Sequence, residues 1–333
     1  MFAGHIPAPG RIELVNVPEP AWPPEKEGPA ILFQPELACL CGSDLPYFEC
    51  SETRYPPGVG HSLHEMIGTV LATTGSRFAP GDRVLAVPVD QKGLFERFVV
   101  SETRAIPLPQ DVPDAHALIA QPLGTVLFAL RRLPSVLGQS VVVVGQGPIG
   151  QLFNLALRNL GAAEIIGLDR DHGRTARSRD FGATHAFCTT DCNAIDAVDV
   201  VTDGRRADLV IEAVGHADQA LNLCIELARR QGRVLVFGVP TEIVDGVRWR
   251  DLFVKNLNLQ TSVNPDFTVD FPMAMRWIAE KRVNVEGLLT HRFPIAELQR
   301  AFETFRNHDG GALKVLVEFP MLTRDKANSR ALE

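Results

Sequence analysis

Val141–Val144 followed by Gly145-Gln-Gly147-Pro-Ile-Gly150 constrains this chain more than any other stretch. Four valines in a row read as a strand buried on both faces, as in a parallel sheet. Three glycines then stand at the GxGxxG spacing, and residues 148–160 read as a helix. Gly145 suits a tight turn, Gly147 lets a pyrophosphate approach the backbone, and Gly150 lets the helix pack against the strand. The helix start at Pro148 and Ile149 offers free N–H groups and a partial positive charge to phosphates. Alone, this spacing also fits an ordinary tight turn. Here a second strand follows, Glu164–Asp169, and ends on a carboxylate about 20 residues beyond the glycines. That is where a dinucleotide fold places the acid for the adenosine ribose hydroxyls. Asp169 repels a 2′-phosphate and so favours NAD over NADP. Arg170 and Arg174 work against that preference, since an arginine can hold a 2′-phosphate. Arg170 equally suits stacking on adenine or exposure to solvent.

The alternation continues along the chain. Strands are expected at 141–144, 164–168, 208–212, 233–237 and about 257–262, with helices at 148–160, 173–181, 217–230 and 248–255. This is the pattern of a doubly wound parallel sheet. Residues before about 120 differ. They are rich in proline and glycine, with short strand-like runs at 12–17, 30–33, 68–72, 81–87 and 95–100, which suggests an irregular β-barrel or sandwich. A helix over 115–132 is expected to break near Pro122. After 265 come a helix (270–281), a strand (289–293), a helix (295–307) and a last strand (312–319). The polar tail, 321–333, is expected to be loose.

With 333 residues the chain has room for two domains. Its net charge of −7 argues against general nucleic-acid binding. No apolar run is long enough to span a bilayer, and the N-terminus lacks a signal-peptide series, so no membrane partner and a cytoplasmic location are expected. The six cysteines are too scattered for a disulfide framework and read mostly as small buried hydrophobes.

Two short stretches before residue 70 stand apart: Cys41-Gly-Ser-Asp44 and Leu63-His-Glu-Met-Ile-Gly-Thr-Val70. Cys, His and Glu are side chains that zinc accepts. Three protein ligands plus an open position make a catalytic site. In isolation the same residues read as a buried cysteine near a turn and a surface His-Glu pair.

Taken with Gly81-Asp-Arg-Val84, Gln121-Pro-Leu123, the glycine motif, Asp169, Glu212-Ala-Val-Gly215 and Phe237-Gly-Val239, these motifs fall in one family order. From about residue 10 to 319 the chain resembles the medium-chain dehydrogenase/reductase superfamily. Within it, the likeness is to the zinc-dependent alcohol and polyol dehydrogenases of sorbitol- or threonine-dehydrogenase type. The resemblance implies an α/β chain in which a GroES-like β-barrel catalytic domain (1–122 and 266–320) is split around a Rossmann domain (123–265), with zinc at the cleft. It implies hydride transfer between NAD and a small alcohol or carbonyl substrate. Cys41 and His64 are then zinc ligands. Glu65 is the third, or else a carboxylate behind them that exchanges with water. Asp44 would hold the free ring nitrogen of His64, and Ser43 would take the substrate proton. Val214, Gly238 and Val239 belong to loops near the nicotinamide. Homodimers or homotetramers would pair through the sheet edge at 256–262. Lys314 matches a family position with no assignable chemistry.

Several departures qualify that picture. His61 also follows a glycine, but His64 fits better because Glu65 follows it and Gly68 stands at the family offset. Gln121 replaces a charged residue and reaches zinc at most through water; Cys41 thiolate and Glu65 would still balance the ion. Pro46 stands where relatives carry a proton-relay histidine. Between Val87 and Phe95 there is no cysteine-rich lobe, so one catalytic zinc and no structural zinc is expected. His5, His116, His172, His185, His216 and His308 match no ligand spacing, and His291 has only a weak claim on the cleft. Phe33, Phe48, Trp249 and Trp277 are expected in cores, with Tyr47 or Phe48 available to line a substrate pocket. Two alternatives stay open: a zinc-free NAD(P)H reductase of the same superfamily, and a catalytically silent NAD-binding protein.

Overall fold

The computed structural model describes residues 1–51, 57–215 and 218–320; the tail at 321–333 and His216 lie outside the described residues. The chain forms two compact units. One contains residues 1–119 and the chain from 288 onward, the other residues 120–287.

In the first unit β1 (Phe2–Ala8) and β2 (Arg11–Asn16) form an antiparallel hairpin. They are followed by β3 (Ala30–Cys39), a single turn over Gly42–Asp44, α1 (Leu45–Glu49), β4 (Glu65–Thr73), β5 (Arg83–Ala86), β6 (Phe98–Ser101), β7 (Ala105–Pro107) and α2 (Asp114–Leu118). The second unit holds α3 (Ala120–Arg131), β8 (Ser140–Val144), α4 (Pro148–Asn159), β9 (Glu164–Asp169), α5 (His172–Arg177) and β10 (His185–Cys188). It continues with α6 (Ala194–Thr202), β11 (Ala207–Glu212), α7 (Asp218–Leu227), β12 (Ala228–Val236), α8 (Trp249–Lys255), β13 (Asn258–Thr261) and α9 (Asp270–Ala279). The chain returns to the first unit with β14 (Leu289–Pro294), α10 (Leu298–Asn307) and β15 (Lys314–Glu318).

The second unit is a six-stranded parallel sheet in the order β10-β9-β8-β11-β12-β13. That is the order of a doubly wound dinucleotide fold, with the reversal between β8 and β11. Its core is the aliphatic strand residues, among them Val142, Ile166, Leu168, Val210 and Val234. Two of its elements escape the sequence pattern. β10 is a four-residue edge strand, and α6 carries its start signal in Asn193, whose side chain accepts from the N–H of Ile195 (2.8 Å) and Asp196 (3.4 Å). The helical stretch breaks at Ile119 rather than near Pro122, because Pro122 lies in the first turn of α3, where its missing N–H costs nothing.

The compact units divide at 119/120 and 287/288, so residues 266–287 lie with the parallel sheet here. The cause is α9. Its Phe271 ring lies against Gly124 of α3 with no room for a β-carbon there, and its buried Asp270 pairs with Arg131 at 2.6 Å.

In the first unit the sheet runs β14-β15-β3-β4-β5-β7, with β6 also paired to β3. The last strand thus lies beside an early one: Leu316 opposes Cys39, and Cys39 opposes Glu65. Directly opposed residues share a face of a sheet, and side chains two apart on a strand share it too. Lys314, Cys39 and Glu65 therefore project to one side. Below the sheet, Phe33 packs edge-on to Phe98 (5.2 Å between centroids) and Phe48 meets Phe302 of α10 (4.9 Å). Trp277 is buried as expected, but Trp249 is 64% exposed. α8 turns Leu252 toward the core and leaves Trp249 and Phe253 on its outer side.

Candidate functional site

In the first unit, Cys41 caps the turn that follows β3, and His64 directly precedes β4. One donor atom each from Cys41, His64 and Glu65 lies within 4.8 Å of the others. Asp44 organises this group. Its fully buried carboxylate accepts the N–H of Cys41 (2.7 Å), the hydroxyl of Ser62 (2.8 Å) and the N–H of Leu63 (2.9 Å). Ser62 and Leu63 carry φ of 99° and 58°, a region that non-glycine residues avoid. Such strain costs on the order of 1–3 kcal/mol per residue and persists only where surrounding bonds enforce it. Asp44 supplies two of those bonds, and the turn they hold delivers His64.

This corrects the role expected for Asp44. It stands 3.9 Å from His64 Nδ1, too far for a hydrogen bond, because its oxygens already serve three other donors. His64 Nδ1 and Ser43 Oγ are both buried with no partner. Buried polar atoms are normally satisfied, so each marks a position that a ligand or water fills. His61 lies outside the group. Its Nδ1 bonds to the Gly58 carbonyl (2.9 Å) and its ring stacks on Tyr47 (5.3 Å). Phe48 is core, and His291 on β14 is not among the grouped residues.

Lys314, left without a role by sequence, carries one here. It is buried at 1% exposure, and its ammonium donates to both oxygens of Glu65 at 2.6 Å. Burial pushes the Glu65 carboxyl up to about 8, with Lys314 working against that rise. Burial works to lower Lys314, but Glu65 outweighs it and the lysine is raised. Lys314 adds to the donor group a buried positive charge that the sequence left unassigned, opposite the buried Asp44 and Glu65 carboxyl groups. The donor set suits zinc, being one thiolate, one imidazole and one carboxylate. Each Glu65 oxygen keeps a lone pair beyond its bond to Lys314.

The second unit carries the nucleotide motif. Gly145 sits at φ 96°, where a β-carbon would also press on the Ala213 carbonyl. At Gly150 a β-carbon would overlap the Gly145 carbonyl, which is the close helix–strand approach expected. At Gly147 a β-carbon would meet nothing nearer than Arg174 Nη1 at 3.6 Å, so the space above is open. Gly147 caps α4, whose first turn begins with Pro148 and Ile149. Asp169 closes β9. Its Oδ2 accepts the N–H of Gln146 (2.6 Å), and Arg174 stands 4.0 Å from the same oxygen. Arg170 is exposed.

Beneath the glycine loop is a buried amide network that the motif does not announce. Gln146 donates to the Val143 carbonyl (2.9 Å) and accepts from Asn154 (2.7 Å), while Gln151 donates to the Gln146 carbonyl (3.0 Å). Across the strand reversal, buried Glu212 accepts the N–H of Val214 (2.8 Å), Gly215 (2.9 Å) and Gly238 (3.2 Å). It ties the loops after β11 and β12 together at the C-terminal ends of their strands, with Val239 beside Gly215. Gln121 is buried on α3 of this unit.

The chain is similar to several known dehydrogenases. A family model described as zinc-binding dehydrogenase matches residues 148–280. The chain is 26% identical over 353 aligned positions to sorbitol dehydrogenase of Rattus norvegicus, covering 94% of both sequences. It is 27% identical over 341 positions to sorbitol dehydrogenase of Halalkalibacterium halodurans, covering 92% of this chain and 96% of the relative. Among solved structures, alcohol dehydrogenase TADH from Thermus sp. ATN1 aligns with a TM-score of 0.86 at 25% identity, over 96% of this chain and 100% of that one. Galactitol-1-phosphate dehydrogenase from Escherichia coli, at 20% identity over 96% of this chain and 100% of that one, shares the fold with a TM-score of 0.84. Among the described residues no helix is long and apolar enough to cross a membrane.

Proposed function

We propose that the chain is a zinc-dependent alcohol or polyol dehydrogenase of the medium-chain dehydrogenase/reductase superfamily and transfers hydride between a secondary alcohol or polyol and NAD. The observation that carries this reading is the convergence of Cys41, His64 and Glu65 donor atoms within 4.8 Å. Cys41 and His64 would hold one catalytic zinc, with Glu65 as third protein ligand. The ion supplies Lewis-acid polarisation of a substrate oxygen, and the nicotinamide supplies the redox chemistry.

The residues of the chain do the rest. Lys314 fixes Glu65 by donating to both of its oxygens. Ser43 offers a buried, unpartnered hydroxyl that can accept the substrate proton while passing its own on to water or the cofactor ribose. Asp44 holds the Cys41 and His64 segments in register. Gly145, Gly147 and Gly150 shape the pyrophosphate turn, and Asp169 takes the ribose hydroxyls, which favours NAD over NADP. The polyol leaning draws on the sorbitol dehydrogenase relatives.

The same reading assigns assembly to β13. This strand ends the sheet beyond β12, and near it Leu259, Phe253 and Val263 are exposed by 40%, 75% and 72%. An apolar sheet edge of this kind fits pairing with a second copy.

The test is zinc content and turnover on secondary alcohols and polyols with NAD, in the parent and in Cys41→Ser and His64→Ala. Each variant is expected to lose one equivalent of zinc per chain together with activity. Full activity in either variant refutes the metal mechanism and favours a zinc-free reductase.

A further inference from the structure

Among the described residues a second group brings metal-donor atoms together, and it lies wholly within the second unit. His172 opens α5, Cys188 closes β10, and Asp191 sits in the turn that follows. One donor atom from each lies within 4.8 Å of the others. His172 Nε2 and Asp191 Oδ1 are 3.3 Å apart. The ligands of a tetrahedral zinc, bound at about 2.0–2.3 Å, stand roughly 3.3–3.8 Å from one another. We propose that His172, Cys188 and Asp191 form an auxiliary binding site for a zinc-class divalent cation, with water completing the tetrahedron.

Part of the arrangement has a plain explanation. His172 and Asp191 are largely exposed, and an exposed His–Asp pair contributes little by itself. The pair does not account for Cys188. This thiol is buried to 8% exposure, yet it belongs to the same donor group, with Thr190 Oγ1 at 3.0 Å and the Arg170 carbonyl at 3.3 Å. A thiolate, an imidazole and a carboxylate select zinc and its neighbours over magnesium or calcium, which prefer all-oxygen cages. Thiolate and carboxylate together neutralise the dication. Cys192, whose thiol bonds to the Cys188 carbonyl at 3.4 Å, stands next in the same turn. This is a second metal per chain, beyond the single zinc expected from the sequence.

Its location gives it a consequence. Cys188 is the register partner of Asp169, and the Thr189 N–H donates to the Asp169 carbonyl at 2.8 Å. The Asp169–His172 loop thus begins at the ribose carboxylate and ends at a metal ligand. A cation joining His172 to Cys188 pins that loop to β10 and pre-orders Asp169. Metal and dinucleotide then strengthen each other's binding, as linkage requires. This coupling rests on the dinucleotide reading of Asp169; the metal site itself does not.

The experiment uses the protein in its zinc-loaded form. It is dialysed against micromolar Zn²⁺, then assayed for metal per chain by elemental analysis and for NADH affinity by fluorescence. The parent is expected to hold two zinc equivalents. Cys188→Ser and His172→Ala are expected to hold one, retain the equivalent that Cys41→Ser loses, and bind NADH severalfold more weakly. In cobalt-substituted protein, Cys188→Ser and Cys41→Ser are each expected to remove a separate part of the thiolate charge-transfer absorption. A parent with one equivalent, or variants that keep both, overturns the site. Loss of the second equivalent with unchanged NADH affinity overturns the coupling and leaves the metal site standing.

Discussion

The metal-donor group of the first unit and the nucleotide cradle of the second solve opposite problems. The cradle works through backbone: open space at Gly147, close packing at Gly150, and N–H groups at the head of α4. Its parts lie within one strand–turn–helix–strand run. The donor group works through side chains from three segments, Cys41–Asp44, His64–Glu65 and Lys314, with Glu65 and Lys314 249 residues apart. It buries three charged groups, Asp44, Glu65 and Lys314, at 0–1% exposure. The cradle demands small residues at fixed offsets, whereas the donor group demands complementary charge. Damage to the first should appear in binding, and damage to the second in stability and metal retention as well.

The largest effect is expected at Lys314. Lys314→Met leaves Glu65 buried without its countercharge, and breaking such a pair costs about 3–5 kcal/mol. Urea unfolding is expected to show that loss. The double variant with Glu65→Gln should recover part of it, because the buried carboxylate is gone. A double variant no more stable than the single would show that the pair is not what holds the centre.

Gly150→Ala sharpens the contrast from the other side. Its β-carbon meets the Gly145 carbonyl, so α4 must move off β8 and the phosphate turn opens. NADH affinity is expected to fall on the order of a hundredfold, about 2.7 kcal/mol, while zinc content stays at the parent level. Loss of zinc in this variant would erase the distinction between the regions.

Glu212→Gln tests whether the loops after β11 and β12 belong to the cradle. A carboxylate accepts all three N–H groups, but an amide must turn its NH₂ toward one of them. An unmet buried donor costs about 1–3 kcal/mol. KM for NAD is expected to rise about tenfold with zinc content unchanged. An unaltered KM would remove Glu212 from the cofactor site.

The smallest effect concerns Asp208 on β11. Burial acts to raise its carboxyl, but Arg229 at 2.6 Å and the Ser140 N–H at 2.9 Å outweigh it and hold it below the usual range. A depressed carboxylate adds stability that is complete above its unfolded value and is lost as pH falls through the folded one. Asp208→Asn is expected to cost about 1 kcal/mol at neutral pH. The gap to the parent should close in acid. A gap that is constant with pH would mean that the charge is irrelevant.

Local sequence was enough for the cradle because each glycine is required by its immediate neighbours, and β8, α4 and β9 follow directly from apolar pattern. It was also enough to nominate Cys41, His64 and Glu65, and to prefer His64 over His61, since the turn that presents His64 is encoded next to it. It was not enough for β10 and α6, which are short and half-exposed, or for Trp249, whose surroundings depend on how α8 lies on the sheet.

What the sequence by itself determined is the doubly wound sheet, the glycine turn and the nomination of Cys41, His64 and Glu65, whose donor atoms the fold brings within 4.8 Å; backbone conformation and side-chain chemistry are local properties. Only the tertiary structure decided that Lys314 pairs with Glu65, that Asp44 braces the His64 turn instead of its ring, that α9 belongs with α3, and that His172, Cys188 and Asp191 meet. Each of these depends on pairing distant strands or packing distant helices, and burial gives the resulting contacts their energy.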